Sequence, residues 1–217
     1  MAADGVGVAV IRYAVRGWNA APDREPSPVP DARWALDTLR REHDLPFVLV
    51  GHSMGARTGV AVADEPGVVG VVALAPWLPA DEPVEPLKGK VLRAAHGRRD
   101  KITSARATRR YVERAAEVAD AGFTDMGGLG HYLLRGVPRW NAFAVAGVRE
   151  SARLSRRALR RRPPGSSLTE RVSRSSHTRG EPARASYDAA WRQARTYPIR
   201  HRCSAGSAAP VRPRARR

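Results

Sequence analysis

Apolar residues in this chain come in short runs, and these runs alternate with segments of helical period and with turn-forming stretches. Residues 6–13 are a β-branched run that predicts a buried strand. A loop follows, with Trp18, Asn19 and four prolines between Pro22 and Pro30. Asp31 is expected to cap a helix after Pro30, with Ala35, Leu36 and Leu39 on its apolar face and its end near Glu42. Pro46 breaks the chain before the apolar run 47–50, which reads as a strand, and residues 56–63 are small and helix-compatible. The continuous apolar run 68–74 predicts a strand covered on both faces. A proline-rich loop over 76–86 leads to a strand at 90–95. Thr103 or Ser104 is expected to cap a helix that runs to about Asp120, with Val112, Ala115 and Ala119 on one face. Residues 123–126 read as the last strand, and a final helix begins over 140–148. Strands alternating with helices predict the α/β class, with a mostly parallel sheet between helical layers.

The candidate chemistry sits where this pattern changes from strand to helix. Gly51-His52-Ser53-Met54-Gly55 lies between the strand at 47–50 and the helix at 56–63. A strand, a sharp turn and a helix around one serine are the context of a nucleophile elbow. The turn is tight, so a side chain at either glycine is expected to collide with the neighbouring strand or helix. The serine hydroxyl then stands at a helix N-terminus, where backbone N–H groups stabilise negative charge. The alternative reading of the pentapeptide alone is a glycine-rich turn with an inert serine.

Two further segments follow in order. Residues 91–100 read as a buried strand and a turn that presents Asp100, through His96-Gly97-Arg98-Arg99-Asp100. Residues 123–131 read as a short strand and the glycine-rich loop Gly127-Gly128-Leu129-Gly130, ending in His131. Each acid or base follows a strand, where α/β sheets place their functional groups. Competing residues have simpler readings. His96 ends a strand before a turn glycine and reads as structural. His52 is adjacent to Ser53 and is expected to point away from it, packing or lining a pocket. Asp125 is a rival acid, but strand alternation explains it equally well. His43 ends a charged helix and is expected to be solvated. Trp77 reads as a pocket wall or as a packed loop aromatic.

Together these segments resemble the α/β-hydrolase family, most nearly its small, lidless, dienelactone-hydrolase-like esterases. The resembling stretch runs from about residue 6 to about residue 148 and includes the Arg16-Gly17 turn and Leu74-Ala75-Pro76-Trp77. The order Ser, Asp, His is that of the family's triad. The resemblance implies Ser53 as nucleophile, His131 as base, Asp100 as the group that orients His131, and the Met54 backbone N–H as an oxyanion donor. It implies no metal and no cofactor. About a dozen residues separate Ala75 from Lys88, which leaves no room for a cap domain, so an open, shallow site is expected. Relatives carry strands before the one at residue 6, and a His-Gly strand that supplies the second oxyanion donor; these have no counterpart here. The hydrolase domain, residues 1–150, is therefore expected to be incomplete at its N-terminus. The missing strand would lie between those at 6–13 and 47–50. These two are expected either to pair directly or to leave a poorly folding fragment.

Charge divides the chain. Lys and Arg total 38 against 21 acids, for a net charge of +17. From Ser151 onward there are 18 arginines, no lysine and three acids, so nearly all the excess belongs to residues 151–217. That Arg/Pro/Ser-rich tail is expected to extend the last helix briefly through Leu154 and Leu159 and to be disordered beyond Pro163. Arginine-rich disorder attracts nucleic acid or anionic membrane by counterion release. Arginine without lysine, beside Ala, Pro, Gly and Ser, is also what a GC-rich reading frame yields, so nucleic-acid affinity is expected to be incidental. The single cysteine, Cys203, allows no intramolecular disulfide and suits a reducing cytoplasm. Asp4 stands where a secretory signal would be basic, and no apolar run reaches the ~20 residues of a membrane helix.

Three functions remain in view. The first is a serine hydrolase that acts on a small-molecule ester or related acyl substrate through an acyl-enzyme, impaired by its incomplete oxyanion hole. The second is a non-catalytic remnant, or pseudoenzyme. The third is a nucleic-acid-binding protein that uses the basic tail. The triad alone does not separate esterase from thioesterase, peptidase or acyltransferase.

Overall fold

The computed structural model describes residues 6–160. Helix α1 (Pro28–Glu42) is followed by strand β1 (Phe47–His52), helix α2 (Met54–Ala61) and strand β2 (Val68–Leu74). After a short 3-10 turn at Glu85–Leu87 come β3 (Val91–His96), α3 (Ala105–Ala115), β4 (Asp120–Asp125) and α4 (Val137–Arg160). The four strands form one sheet in the order β1-β2-β3-β4, all parallel. Each parallel connection needs a crossover, and the intervening helices supply it.

Side-chain alternation along the central strands divides the core. Val71 and Ala73 of β2 and Leu92 and Ala94 of β3 pack with Ala56 and Val60 of α2 and Tyr111, Val112 and Ala115 of α3. Val72, Leu74 and Ala95 point the other way, against Trp140 and Val148 of α4. The expected layers are therefore present: α2 and α3 on one face, α4 on the other. Val29, Ala32 and Leu36 of α1 add a third cluster with Val62 and Val68. Helix α4 lies close to β2, because Gly70 and Gly147 leave room for it: a methyl at Gly70 would meet Ser151 Oγ at 2.7 Å. Buried Ser151 bonds the Gly147 carbonyl, and α4 runs on through Leu154 and Leu159 to Arg160. Cys203 and the tail beyond residue 160 lie outside the described residues.

Several expectations are corrected. Residues 6–13 form no strand, although their pattern suits one; Val8 and Val10 are exposed. A strand needs a ladder partner as well as an apolar pattern, and among the described residues β1 pairs only with β2. The direct pairing with β1 is therefore not made, and β1 is an edge strand with Val50 half exposed. The segment is held through side chains and one cap-like bond instead: Ile11 and Trp18 pack near α1, and the Ala14 N–H donates to Asp31 Oδ2 at 2.8 Å. Asp31 is accordingly not the helix cap. Helix α1 begins earlier, because Pro28 and Pro30 both fit a first turn, where N–H groups have no partner to lose. Helix α3 stops at Ala115, and β4 starts at Asp120, earlier than its apolar residues suggested. As an edge strand, β4 tolerates the exposed Asp120.

Candidate active site

In a parallel sheet every strand ends on the same side, so the turns after β1, β3 and β4 converge. Ser53, Asp100 and His131 each follow one of these strand ends.

Ser53 sits between β1 and α2 with φ 53° and ψ −117°, a conformation that non-glycine residues rarely adopt. The turn is fixed from several sides. The Ser53 N–H donates to the Leu74 carbonyl at 3.1 Å, and its carbonyl accepts from Trp77, Ala56 and Arg57. Gly51 is required here: a methyl would come within 2.4 Å of the Ala56 nitrogen. Gly55 is not required in the same way. A methyl there would meet only the Tyr13 hydroxyl, at 3.8 Å, because no strand from residues 6–13 lies against α2. Met54 is the first residue of α2, so its N–H is one of the leading donors with no intrahelical acceptor.

The turn after β3 folds around Asp100. The N–H groups of Ile102 and Thr103 donate to Oδ1 at 2.8 and 2.9 Å, an arrangement local to an Asp turn. Oδ2 receives His131 Nδ1 at 2.8 Å, His96 Nε2 at 3.0 Å and the Thr103 hydroxyl at 2.9 Å. The side chain is fully buried. Burial pushes the carboxyl up, but the Thr103 N–H, the His131 ring, the Ile102 N–H and the Thr103 hydroxyl outweigh it and bring it down to about 2. Asp100 is therefore an anion, and an anionic carboxylate only accepts, so both facing histidine nitrogens carry their protons. In the neutral ring, a proton on Nδ1 places the lone pair on Nε2, the form that a general base needs.

The sign of this shift sets a prediction. A carboxyl whose folded value lies below its ordinary 3.8 contributes stability above pH 4, and that contribution is lost as pH falls through about 2. The loss is expected to be about 2 kcal/mol. Urea unfolding midpoints measured between pH 5 and 2 should show it in the native protein and lack that component in Asp100→Asn.

The loop carrying His131 is zipped onto the turn carrying Asp100. Arg98 N–H donates to the Gly127 carbonyl at 2.6 Å, and Arg99 N–H to the Leu129 carbonyl at 3.1 Å. Gly97 makes this contact achievable, since a methyl there would lie 2.1 Å from the Leu129 oxygen. Gly97→Ala is expected to destabilise the fold by about 1–3 kcal/mol through overpacking. Thermal melting beside an exposed control such as Gly7→Ser, where an added Cβ meets nothing within 4 Å, checks this. His131 is also tied to the elbow: His52 Nε2–H donates to the His131 carbonyl at 2.8 Å, and the two rings stand 4.7 Å apart. His52 thus braces His131. Burial lowers the His52 pKa and so favours the neutral ring, while its hydrogen bond to that carbonyl works the other way.

Trp77 is partly exposed and stands beside the elbow, with its N–H on the Ser53 carbonyl. The Arg57 guanidinium lies over the rings of both Trp77 and Trp18, at 4.5 and 4.1 Å, and pairs with buried Glu82 at 2.5 Å. This cluster fixes the loop that borders Ser53. Asp125 is turned elsewhere, and the Gly127 N–H and then exposed Arg98 depress its pKa. His43 is exposed beside Glu42.

The structure thus joins Asp100 to His131 and brings Ser53 to the same rim. The Ser53 hydroxyl makes no hydrogen bond to His131 among the described residues. Two clefts, of about 310 and 610 Å³, run along α3, and neither is lined by Ser53, Asp100 or His131. Thr103 and Thr108 were not among the sequence candidates, although a threonine three residues after a turn aspartate is a readable local signal. Among the described residues, no helix is long and apolar enough to cross a membrane, and no cluster of His, Cys, Asp or Glu is arranged to hold a metal ion.

The model of a family described as the Alpha/beta hydrolase family matches residues 1–216. No protein of curated function matches the sequence. Solved structures similar to this chain include a predicted CIB-like hydrolase from Thermoplasma acidophilum, 18% identical with a TM-score of 0.44, covering 57% of this chain and 59% of that one. An alpha-beta serine hydrolase homologue from Coxiella burnetii is 18% identical with a TM-score of 0.47, covering 62% and 65%. An esterase from Pyrococcus furiosus is 16% identical with a TM-score of 0.48, covering 56% and 61%. This chain spans less than two thirds of the length of each of the three.

Proposed function

Because the chain belongs to the alpha/beta hydrolase family, we propose that it is a serine hydrolase whose triad is Ser53, His131 and Asp100, acting on a small ester or related acyl substrate. The observation that carries this reading is the 2.8 Å bond from His131 Nδ1 to buried, anionic Asp100, at the same sheet rim as the strained Ser53 turn.

A serine hydroxyl is a weak nucleophile near neutral pH and needs a base beside it. In this reading His131 Nε2 takes the Ser53 proton as Oγ bonds to the acyl carbon. The carbonyl π electrons move to oxygen, and the Met54 N–H at the head of α2 stabilises the resulting oxyanion. Collapse expels the leaving alkoxide, which takes the proton from His131 and departs as the alcohol. Water then adds to the acyl-enzyme with the same proton movements reversed, releasing the acid and restoring Ser53. Asp100 remains charged throughout and stabilises the imidazolium. Trp77 and His52 border the acyl position. The Ser53–His131 contact closes as substrate seats, since such bonds often tighten only in the complex.

The proposal is tested with the purified chain and a short-chain chromogenic ester, beside Ser53→Ala. Equal rates for the two would refute it.

A further inference from the structure

We infer that His96 is a positioning residue for His131: by sharing Asp100 Oδ2 it sets how strongly that carboxylate holds the catalytic imidazole. The inference rests on the triad reading given above. It stands on a chain of contacts that the hydrolytic steps do not themselves require. His96 is completely buried, and it lies at the end of β3 four residues before Asp100. Its Nε2 is 3.0 Å from Asp100 Oδ2, and its Nδ1 is 2.8 Å from the Thr108 hydroxyl of α3. Since the carboxylate only accepts, Nε2 donates; Nδ1 then has only a lone pair, and Thr108 donates to it. Thr108 is itself fully buried and thereby fixes the His96 tautomer. One carboxylate oxygen thus serves two imidazole donors, His96 and His131, with the Thr103 hydroxyl between them at 3.3 and 3.1 Å.

A simple packing histidine would need no such arrangement. A buried imidazole costs desolvation on both nitrogens, and an apolar residue of its size would fill the space at less cost. What the second donor supplies is a division of the carboxylate's charge. Each hydrogen bond given to Oδ2 lowers its capacity to stabilise a proton on His131. Burial lowers the His96 pKa, although Asp100 beside it opposes this, so His96 donates as a neutral ring and adds no charge of its own. The titratable groups facing His131 are Asp100 and His96 from the end of β3, His52 from the end of β1, and Tyr132 on its own loop.

Removing the His96 donor should leave Asp100 bound more tightly to His131. In His96→Met the titration midpoint of the His131 ring, followed by NMR on the full chain with labelled histidine, is expected to rise by about half a unit to one unit. Thr108→Val, which frees the His96 tautomer, should move it less and in the same direction. His96→Gln, whose amide N–H can still reach Asp100, should stay near the native value. The acid limb of kcat/KM should move with the NMR midpoint. A pure packing role would lower stability without moving either. If His96→Met does not fold, Thr108→Val decides. An unchanged His131 midpoint in the folded variants overturns the inference. That outcome is distinct from failure of the triad reading, which shows as equal ester hydrolysis by the native chain and Ser53→Ala, while the ring titration still reports on His96.

Discussion

Ser53→Ala is expected to lower kcat on the order of 10⁵- to 10⁶-fold, the largest effect of any single substitution in the chain. In the proposed mechanism the hydroxyl oxygen forms the acyl bond, so neither His131 nor Asp100 has a reaction to assist without it. Groups that act as a unit lose nearly all their effect when one is removed. The fold should survive. Ser53 is held by its backbone, through the N–H to Leu74 and the carbonyl to Trp77, Ala56 and Arg57, and alanine keeps those bonds. Its φ of 53° is also no worse for alanine than for serine. Steady-state hydrolysis of a short-chain ester, with the melting temperature measured alongside, checks both parts.

Asp100→Asn is expected to lower kcat about 10⁴-fold with little change in KM, because in the proposed mechanism Asp100 holds the base and does not meet the substrate. The amide brings an N–H₂ to a place where the carboxylate accepted from His131 Nδ1, His96 Nε2 and the Thr103 hydroxyl. If the amide nitrogen faces His131, the imidazole turns to the tautomer with its proton on Nε2, and cannot accept from Ser53. If the amide oxygen faces His131, the N–H₂ meets the N–H groups of Ile102 and Thr103. Each unpaired buried donor costs about 1–3 kcal/mol. Either orientation therefore damages the site, and the variant should also melt lower than Ser53→Ala. Kinetics well below that melting temperature separate the two losses.

The turns that carry Ser53, Asp100 and His131 were legible because their signals are local. A serine between Gly51 and Gly55 after an apolar strand, an aspartate three residues after Gly97, and a histidine ending a glycine-rich loop each mark a turn by short-range chemistry. The central strands were equally plain: residues 68–74 are apolar without a break, as β2 requires with helices on both faces. What was not legible depends on distant partners. Residues 6–13 carry the pattern of a strand, but whether they join a ladder is decided by β1, more than thirty residues on. The start of β4 at Asp120 was hidden because an edge strand admits polar residues and glycine. The α1 start was missed because two prolines near a helix end look like a loop until one sees that both fit the first turn. The role of His96 was hidden for a third reason: His96-Gly97-x-x-Asp100 suggests a turn, but only the fold shows that one carboxylate oxygen serves two histidines.

The most direct test of the central claim is covalent. A fluorophosphonate reacts readily only with a serine that a neighbouring base activates. Incubated with the full chain and read by peptide mass spectrometry, it is expected to label Ser53 alone, to leave Ser53→Ala unlabelled, and to react far more slowly with Asp100→Asn. Absence of label on Ser53 in the folded native chain, or equal labelling of the Asp100→Asn variant, would contradict the account.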